Sequence, residues 1–228
     1  MTVPAGIKSF FIPGPSGRLE ALLNQGNEDA AHAALVCHPH PLYGGTMHNK
    51  VVYHAMKALQ SFGFPVLRFN FRGAGLSEGE HDKGHGEVDD VRAGLDWLAS
   101  EYQLPIIFCG FSFGAATGLR VVCDNPRVAG IISLGTPIAV EERVYTYNYL
   151  GSCAAPKMFV SGSRDQFSLR ANLEKLMAIA PEPKQLVIVE GAGHFFEGHL
   201  REMQAAISDW TSRVFHLPAH TPKNMEAS

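Results

Sequence analysis

The residues around Ser112 form the pattern in this chain that most clearly suggests chemistry. Ser112 is the centre of Gly110-Phe111-Ser112-Phe113-Gly114, which continues the apolar run Ile106–Phe111 and leads into a stretch of small residues with helical period. A nucleophile on a sharp turn between strand and helix has a strained backbone, and the residues two positions away must be small. Gly110 and Gly114 meet that requirement. The context therefore predicts a reactive serine, whereas the bare pattern also fits an ordinary glycine-rich turn.

Two later strand ends supply partners for such a serine. A serine hydroxyl needs a base to take its proton and a third group to orient that base. Asp165 follows the strand-like run Lys157–Ser161, and His194 follows Gln185–Val189 between glycines. The loops at the carboxyl ends of strands gather at one edge of an open α/β sheet. We therefore predict Ser112 as nucleophile, His194 as base and Asp165 as the orienting acid.

Both partners have alternatives in the sequence. Asp165 could merely cap a helix that begins near Ser168, and His194 could be an ordinary loop histidine. His199 competes as the base, although its position suggests that it lies inside the last helix. The other candidate acids are Glu190, which lies on the strand itself, and Glu141 or Glu142 after the sixth strand.

A second loop is expected to stabilise the negative charge that develops on an attacked carbonyl. Such an oxyanion needs hydrogen-bond donors that already point at it, and the amide after the nucleophile, that of Phe113, is one expected donor. Residues 38–45, His-Pro-His-Pro-Leu-Tyr-Gly-Gly, follow the third strand-like run. Pro39 and Pro41 have no N–H, so the amide of His40 is the predicted second donor.

Residues beside these positions are candidates for substrate binding. The amides of Leu42 and Tyr43 are the alternatives for the second oxyanion donor, and their side chains lie in the same loop. Phe167 and Phe195 adjoin Asp165 and His194 in sequence. We predict that these four side chains line a shallow apolar pocket.

The segment between the sixth and seventh strands limits the size of any lid. Only Ile138–Pro156 separates the two strands, which is too short for a domain with its own core. It can form one short helix or flap, around Tyr145–Leu150. The prediction is a minimal cap and a preference for short acyl groups, because methylenes beyond the rim of a shallow site gain little from burial.

Two motifs that suggest a metal or a cofactor have weaker support. His38 and His40 are spaced to face one way on a strand, but no third and fourth ligands follow at convincing spacing. Gly73-Ala74-Gly75 imitates a dinucleotide fingerprint, yet Glu78 replaces the third glycine and no helix starts there. We predict neither a metal nor a cofactor.

Composition excludes several classes of protein. The 228 residues are 46% hydrophobic and 18% charged, and 19 basic against 22 acidic residues leave a formal charge of -3. Such a chain folds, and without a basic stripe it is not expected to bind nucleic acid. No apolar run approaches the ~20 residues of a membrane span, and Met1–Ser9 does not look like a signal peptide. The expected location is the cytoplasm.

The elements alternate as in an α/β fold. Strands that are apolar throughout are buried on both faces, so alternating strands and helices predict a parallel sheet covered by helices. The first two strands instead form a hairpin around Gly14–Gly17. We predict one domain, residues 1–228, with 217–228 as a flexible tail. The predicted strands are Ile7–Pro13, Leu19–Leu23, Ala33–Cys37, Pro65–Phe71, Ile106–Phe111, Val128–Leu134, Lys157–Ser161 and Gln185–Val189, and the helices are Lys50–Phe62, Glu87–Tyr102, Gly114–Cys123, Leu169–Ile179 and Gly198–Phe215.

These features together resemble the α/β-hydrolase superfamily over about residues 5–216. The loop at residues 38–45 is similar to that of its small, nearly lidless carboxylesterase-like branch. Residues 70–77 resemble the superfamily's Asp-x-Arg-Gly-x-Gly-x-Ser stretch, with Asn70 in place of the aspartate, a stretch that we interpret as structural. The resemblance implies an eight-stranded sheet whose second strand is antiparallel, and triad roles for Ser112, Asp165 and His194.

The function expected from this resemblance is that of a serine hydrolase. Its substrate would be a small carboxylic ester with a short acyl chain, cleaved through an acyl-enzyme without a cofactor. Thioesterase, amidase, lactonase and acyltransferase activities use the same machinery and remain open. A non-catalytic binding protein on the same scaffold is the alternative from another class. The oligomeric state has no signature in the sequence.

Overall fold

An eight-stranded mixed sheet runs through the centre of the protein. The structure is a computed structural model that describes residues 6–140 and 143–218. The sheet has the strand order β1-β2-β4-β3-β5-β6-β9-β10, and β7 and β8 form a separate two-stranded hairpin. The strands are β1 (Ile7–Gly14), β2 (Gly17–Asn24), β3 (Ala33–Cys37), β4 (Val66–Phe69), β5 (Ile106–Phe111), β6 (Val128–Leu134), β7 (Ala139–Val140), β8 (Arg143–Val144), β9 (Lys157–Gly162) and β10 (Lys184–Val189).

The pairing of the strands confirms the predicted fold class. Strand β2 is antiparallel to both β1 and β4, while the remaining pairs are parallel. The turn between β1 and β2 closes at the pair Gly14 and Gly17, and Gly17 has a φ of 116° that favours glycine. Strand β4 is shorter than predicted, because the amide of Phe71 donates to the side chain of His38 instead of a neighbouring strand.

Five α-helices cover the sheet. They are α1 (Lys50–Gln60), α2 (Glu87–Tyr102), α3 (Phe113–Val122), α4 (Arg170–Ile179) and α5 (Leu200–Val214), and single 3₁₀ turns lie at Pro41–Tyr43 and Asn148–Ser152. Each α-helix lies where the sequence predicts one, but α5 begins after His199, which is its N-cap residue instead of a residue inside it. None of these helices in the described part of the chain is long and apolar enough to cross a membrane.

The core has two layers, one on each face of the sheet. Along β3, Leu35 and Cys37 pack into the layer that includes α2 and α3, whereas Ala34 and Val36 pack into the layer that includes α1 and α5. Successive side chains of a strand point to opposite faces. A strand covered on both faces must therefore be apolar at every position, as β3 and β5 are.

Side chains in the stretch from Asn70 to Ser77 form hydrogen bonds and an ion pair with several other elements, which agrees with the structural interpretation of this stretch. The Asn70 side chain accepts from the amide of Met47 (2.8 Å) and donates to Glu20 Oε2 (2.7 Å). Arg72 forms a buried ion pair with Asp90 at the start of α2, at 2.7 Å. Because these contacts join β2, the loop before α1 and helix α2, they stiffen the edge of the sheet where the polar loops gather.

The segment between β6 and β9 forms only a small cap. It contains the β7–β8 hairpin and the 3₁₀ turn at Asn148–Ser152, slightly later than the short helix or flap predicted around Tyr145–Leu150. Tyr147 and Leu150 are buried against the core. Two predictions fall outside the described residues: the candidate acids Glu141 and Glu142, and the tail beyond residue 218.

Candidate active site

Ser112 occupies a strained turn between β5 and α3. Its backbone has φ 53° and ψ -115°, a conformation that costs about 1–3 kcal/mol for a residue other than glycine. Its amide donates to Leu134 O on β6 (2.9 Å), and its carbonyl accepts from Ala116 in the first turn of α3 (3.0 Å). Ser112 thus lies between the last residue of the strand and the first residue of the helix, where it is the N-cap residue of α3.

The two flanking glycines are required by close backbone contacts. A Cβ atom on Gly110 would lie 2.6 Å from Ala115 Cα, and one on Gly114 would lie 2.5 Å from His38 O and 2.7 Å from Cys37 O. The first contact follows from the turn itself. The second is with the end of β3, so Gly114 also allows the loop at residues 38–45 to approach the serine, which the sequence pattern alone does not show.

Three side chains from distant parts of the chain form one hydrogen-bonded row. His194 Nε2 lies 2.9 Å from Ser112 Oγ, and His194 Nδ1 lies 2.9 Å from Asp165 Oδ2. A carboxylate can only accept, so Nδ1 carries the proton and Nε2 is left to accept from the serine hydroxyl. The arrangement has the geometry that proton transfer from Ser112 to His194 needs.

Asp165 is positioned by its own loop. It is 2% exposed, its Oδ1 accepts from the amide of Phe167 (2.9 Å), and Ser161 Oγ donates to Oδ2 at 3.3 Å. Helix α4 begins at Arg170 with Leu169 as its N-cap residue, so Asp165 does not cap that helix. The contact from Ser161 was not predicted, and the only signal for it was a polar residue at the end of an apolar strand.

The competing residues lie elsewhere. His199 precedes α5, and its Nδ1 lies 3.4 Å from Glu202 Oε1 in the first turn of that helix. Glu190 accepts a hydrogen bond from Ser163 in an exposed position. The structure therefore places His194 against Ser112, and Asp165 against His194, in preference to these alternatives.

Most backbone amides of the loop at residues 38–45 donate hydrogen bonds to acceptors within the loop itself. The amide of Leu42 donates to His40 Nδ1 (3.3 Å) and that of Tyr43 to His40 O (3.1 Å), while Gly44 donates to Pro41 O and Gly45 to His40 O. The two alternative oxyanion donors, Leu42 and Tyr43, are thus engaged within the loop. His40 and Phe113 both border the cavity that contains Ser112, and their rings lie 4.8 Å apart.

His38 is an interior residue of this loop. It is fully buried, its Nε2 accepts from the amide of Phe71 (2.9 Å), and its Nδ1 lies 2.6 Å from Pro39 O. Because Nε2 accepts, Nδ1 must carry the proton and donate to that carbonyl. Both ring nitrogens are therefore occupied, and His38 does not pair with His40 as the metal interpretation requires. The described residues contain no group of three or more His, Cys, Asp or Glu side chains that could hold a metal ion.

We expect His38 to make the protein less stable as the pH falls from about 6.5 to about 4. Burial lowers the pKa of its imidazole from 6.5 to about 4, so in that window the unfolded chain binds more protons than the folded one. The contribution present above pH 6.5 is lost on acidification, by about 3 kcal/mol in total. Urea unfolding of the wild type and His38→Gln, at about pH 7 and about pH 5, measures it as a shallower pH dependence of the variant. An equally steep dependence in both proteins would contradict it, and the exposed His48→Gln is the matched control.

A cavity of about 300 Å³, here called the Ser112 cavity, opens beside the serine. Of the four side chains predicted to bind substrate, Tyr43, Phe167 and Phe195 line it. Leu42 does not, and it is 69% exposed. The lining was not predicted at several further positions, namely Pro39, Gly44, Gly45, Asn49, Pro137 and Tyr145. They come from two separate segments, one between β3 and α1 and the other between β6 and β9, so no local sequence pattern connects them.

Comparisons with known proteins agree with this geometry. A family model described as serine aminopeptidase, S33, matches residues 31–155. An uncharacterized protein of Rickettsia prowazekii is 36% identical over 209 residues, which cover 88% of this chain and 87% of that protein.

Solved structures are similar over nearly the whole chain. An α/β serine hydrolase homologue from Coxiella burnetii is 37% identical with a TM-score of 0.81, covering 92% of this chain and 99% of its own. The protein XC6422 from Xanthomonas campestris, an α/β serine hydrolase without a lid, is 30% identical with a TM-score of 0.80, covering 96% of this chain and 99% of its own. The chain is therefore a hydrolase of the α/β-hydrolase superfamily and a member of the family described as serine aminopeptidase S33.

Proposed function

We propose that this protein hydrolyses small carboxylic esters through an acyl-enzyme formed on Ser112. The observation that carries the proposal is the row from Ser112 Oγ through His194 to Asp165, with both hydrogen bonds at 2.9 Å. Ser112 lies on a strained turn and lines an accessible cavity. Strain that the surrounding structure maintains at such a position is typical of a functional residue.

In the proposed mechanism, His194 moves one proton in each half of the reaction. Ser112 Oγ attacks the ester carbonyl while its proton passes to His194 Nε2, and Asp165 stabilises the imidazolium that forms. The amides of Phe113 and His40 hold the oxyanion. His194 then gives the proton to the departing alcohol. Water, deprotonated by the same nitrogen, attacks the acyl-enzyme, and His194 returns that proton to Ser112 Oγ as the acid is released.

The Ser112 cavity supports small substrates. Its volume of about 300 Å³ lies at the lower end of the range for ligand pockets, about 300–1,000 Å³. Tyr43, Phe167 and Phe195 provide aromatic walls for a short acyl or alcohol group. The small cap, residues 138–156, leaves the cavity without a lid domain that would enclose a long chain.

An amidase is the second candidate, because the family that matches is described as a serine aminopeptidase. The same three side chains serve both reactions, and a leaving amine needs the proton from His194 more than an alcohol does. Thioester hydrolysis and acyl transfer differ only in the leaving group or the acceptor. Aminoacyl amides assayed beside the corresponding esters discriminate the two candidates through the ratio of their kcat/KM values.

Labelling with a fluorophosphonate tests the proposed function directly. The reagent phosphonylates a serine whose hydroxyl is activated by a base, so we expect one modified residue, Ser112, identified by mass spectrometry of the digested protein. Exposed serines elsewhere in the chain serve as internal controls. Absence of labelling on folded protein would favour a non-catalytic binding protein on the hydrolase scaffold.

We expect a preference for acyl chains of about two to six carbons, since each methylene beyond the rim gains little of the ~0.8 kcal/mol that burial provides. The measurement is kcat/KM for a series of aryl esters, with the concentration of active protein taken from the fluorophosphonate titration. A second expected result is no rate increase when the substrate forms an oil interface. If kcat/KM rises steadily to long-chain esters, the cavity extends further than its lining residues indicate.

A further inference from the structure

A second cavity adjoins the Ser112 cavity and differs from it in charge. It has a volume of about 410 Å³, and Phe113 and Tyr145 line both cavities, so the two are adjacent. Lys83, His85 and Arg120 supply three basic side chains to its walls, and none of its described lining residues is Asp or Glu. We call it the Arg120 cavity.

One face of helix α3 extends from the Ser112 cavity along the Arg120 cavity. Phe113, Ala116, Thr117 and Arg120 are spaced to lie on one face of the helix, and all four line the Arg120 cavity. At a rise of 1.5 Å per residue, Arg120 lies about 10 Å along the helix axis from Phe113. A substrate whose carbonyl lies at Ser112 can therefore reach Arg120 with a group about 10 Å away, on that same helix geometry.

Arg120 is held in place but is not neutralised. Its Nη1 donates to Gly84 O at 2.8 Å, and within the described residues it has no other hydrogen bond and no ion pair. A guanidinium has five N–H donors in a planar fork that matches the oxygens of a carboxylate or a phosphate. Most of those donors are therefore left for a ligand in the cavity.

The loop that carries Lys83 and His85 is fixed in an unusual conformation. Lys83 has a φ of 53° and Gly84 a φ of 88°, so two successive residues are left-handed. The buried carboxylate of Glu87 holds them there by accepting from the amides of Asp82 and Gly84, both at 2.8 Å. A strained residue persists only where its surroundings determine it, and such residues cluster at ligand-binding sites.

We propose that the Arg120 cavity binds an anionic group, a carboxylate or a phosphate monoester, on a substrate whose scissile carbonyl lies at Ser112. This inference rests on the proposed function and specifies its substrate class. The Ser112 cavity would hold the uncharged part around the reacting bond. Arg120 would form charge-assisted hydrogen bonds with the anion, and the side chains of Lys83 and His85 line the wall of the cavity around it.

The experiment compares matched charged and neutral esters. Aryl monoesters of adipate, suberate and sebacate carry a free carboxylate at increasing distance, and their neutral partners carry a primary carboxamide in its place. A second series has the carboxylate on the alcohol side, and a third has a terminal phosphate. The three series distinguish which half of the substrate is charged and which anion is bound. The proteins are the wild type, Arg120→Gln and Arg120→Lys.

We expect the wild type to favour the charged member of the best pair by about tenfold to a hundredfold in kcat/KM. Arg120→Gln should lose most of that preference, and Arg120→Lys should keep part of it. Added salt should reduce the preference, because the cavity is open to solvent.

Two results would overturn the anionic subsite: equal kcat/KM for both members of every pair in the wild type, or a preference that persists in Arg120→Gln. A protein that hydrolyses no ester in any series would overturn the proposed function instead. In that case calorimetric titration of Ser112→Ala with the suberate monoester and its carboxamide still tests the subsite, because binding needs no turnover. Equal affinity for the two ligands would then count against it.

Discussion

Replacement of Ser112 by alanine is expected to lower kcat for ester hydrolysis by about 10⁴- to 10⁶-fold. The hydroxyl oxygen that lies 2.9 Å from His194 Nε2 is the only non-hydrogen atom removed, and without it no acyl-enzyme can form. Fluorophosphonate labelling should disappear with the activity. Steady-state assays over several enzyme concentrations measure the residual rate.

The matching control is Ser163→Ala, which removes a hydroxyl from a neighbouring loop. That hydroxyl contacts Glu190 and the amide of Gly191 and takes no part in the row around His194. Both variants should unfold cooperatively, and only Ser112→Ala should lose activity. Hydrolysis by Ser112→Ala within about tenfold of the wild type would remove Ser112 from the mechanism.

Replacement of Asp165 by asparagine is expected to lower kcat by about 10⁴-fold while the fold is retained. An asparagine can still accept from the Phe167 amide through Oδ1, as the carboxylate does at 2.9 Å. Its NH₂ group would face His194 Nδ1, however, and would favour the tautomer with the proton on Nε2. That nitrogen could then no longer accept the proton of Ser112.

The control for this variant is Glu190→Gln, because Glu190 is the other acid that the sequence offers beside His194. Its carboxylate is exposed and contacts Ser163, so its neutralisation should leave kcat and KM unchanged. The two variants are compared by kcat and by the rate of fluorophosphonate labelling, which reports the reactivity of Ser112. Full activity in Asp165→Asn together with loss of activity in Glu190→Gln would falsify the assignment of the acid.

The turn at Ser112 was predictable because its requirements are local. A serine in a left-handed conformation between a strand and a helix needs small residues two positions away, and both glycines lie within the same short segment. The fold class was predictable for a similar reason. Strands apolar at every position, such as β3 and β5, indicate burial on both faces, and their alternation with helical periods indicates a parallel sheet.

The partners of Ser112 were predictable as candidates only. The sequence places Asp165, Glu190, His194 and His199 near strand ends, but the choice among them depends on distances across loops. The structure brings His194 and Asp165 together, whereas it assigns His199 to the start of α5 and Glu190 to the surface. The burial of His38 could not be predicted from the sequence either, because its ring accepts a hydrogen bond from the amide of Phe71, which is far along the chain.

The fold class, the strained serine and the lack of room for a lid domain were each predictable, since each follows from residue types and spacings within one segment. The packed structure is needed to see which loops border the Ser112 cavity, why Leu42 lies outside it, and that Arg120 lies beside it with no ion pair to any residue that the structure describes. This is because a cavity is defined by side chains from separate loops. Their proximity arises only when the sheet and helices pack.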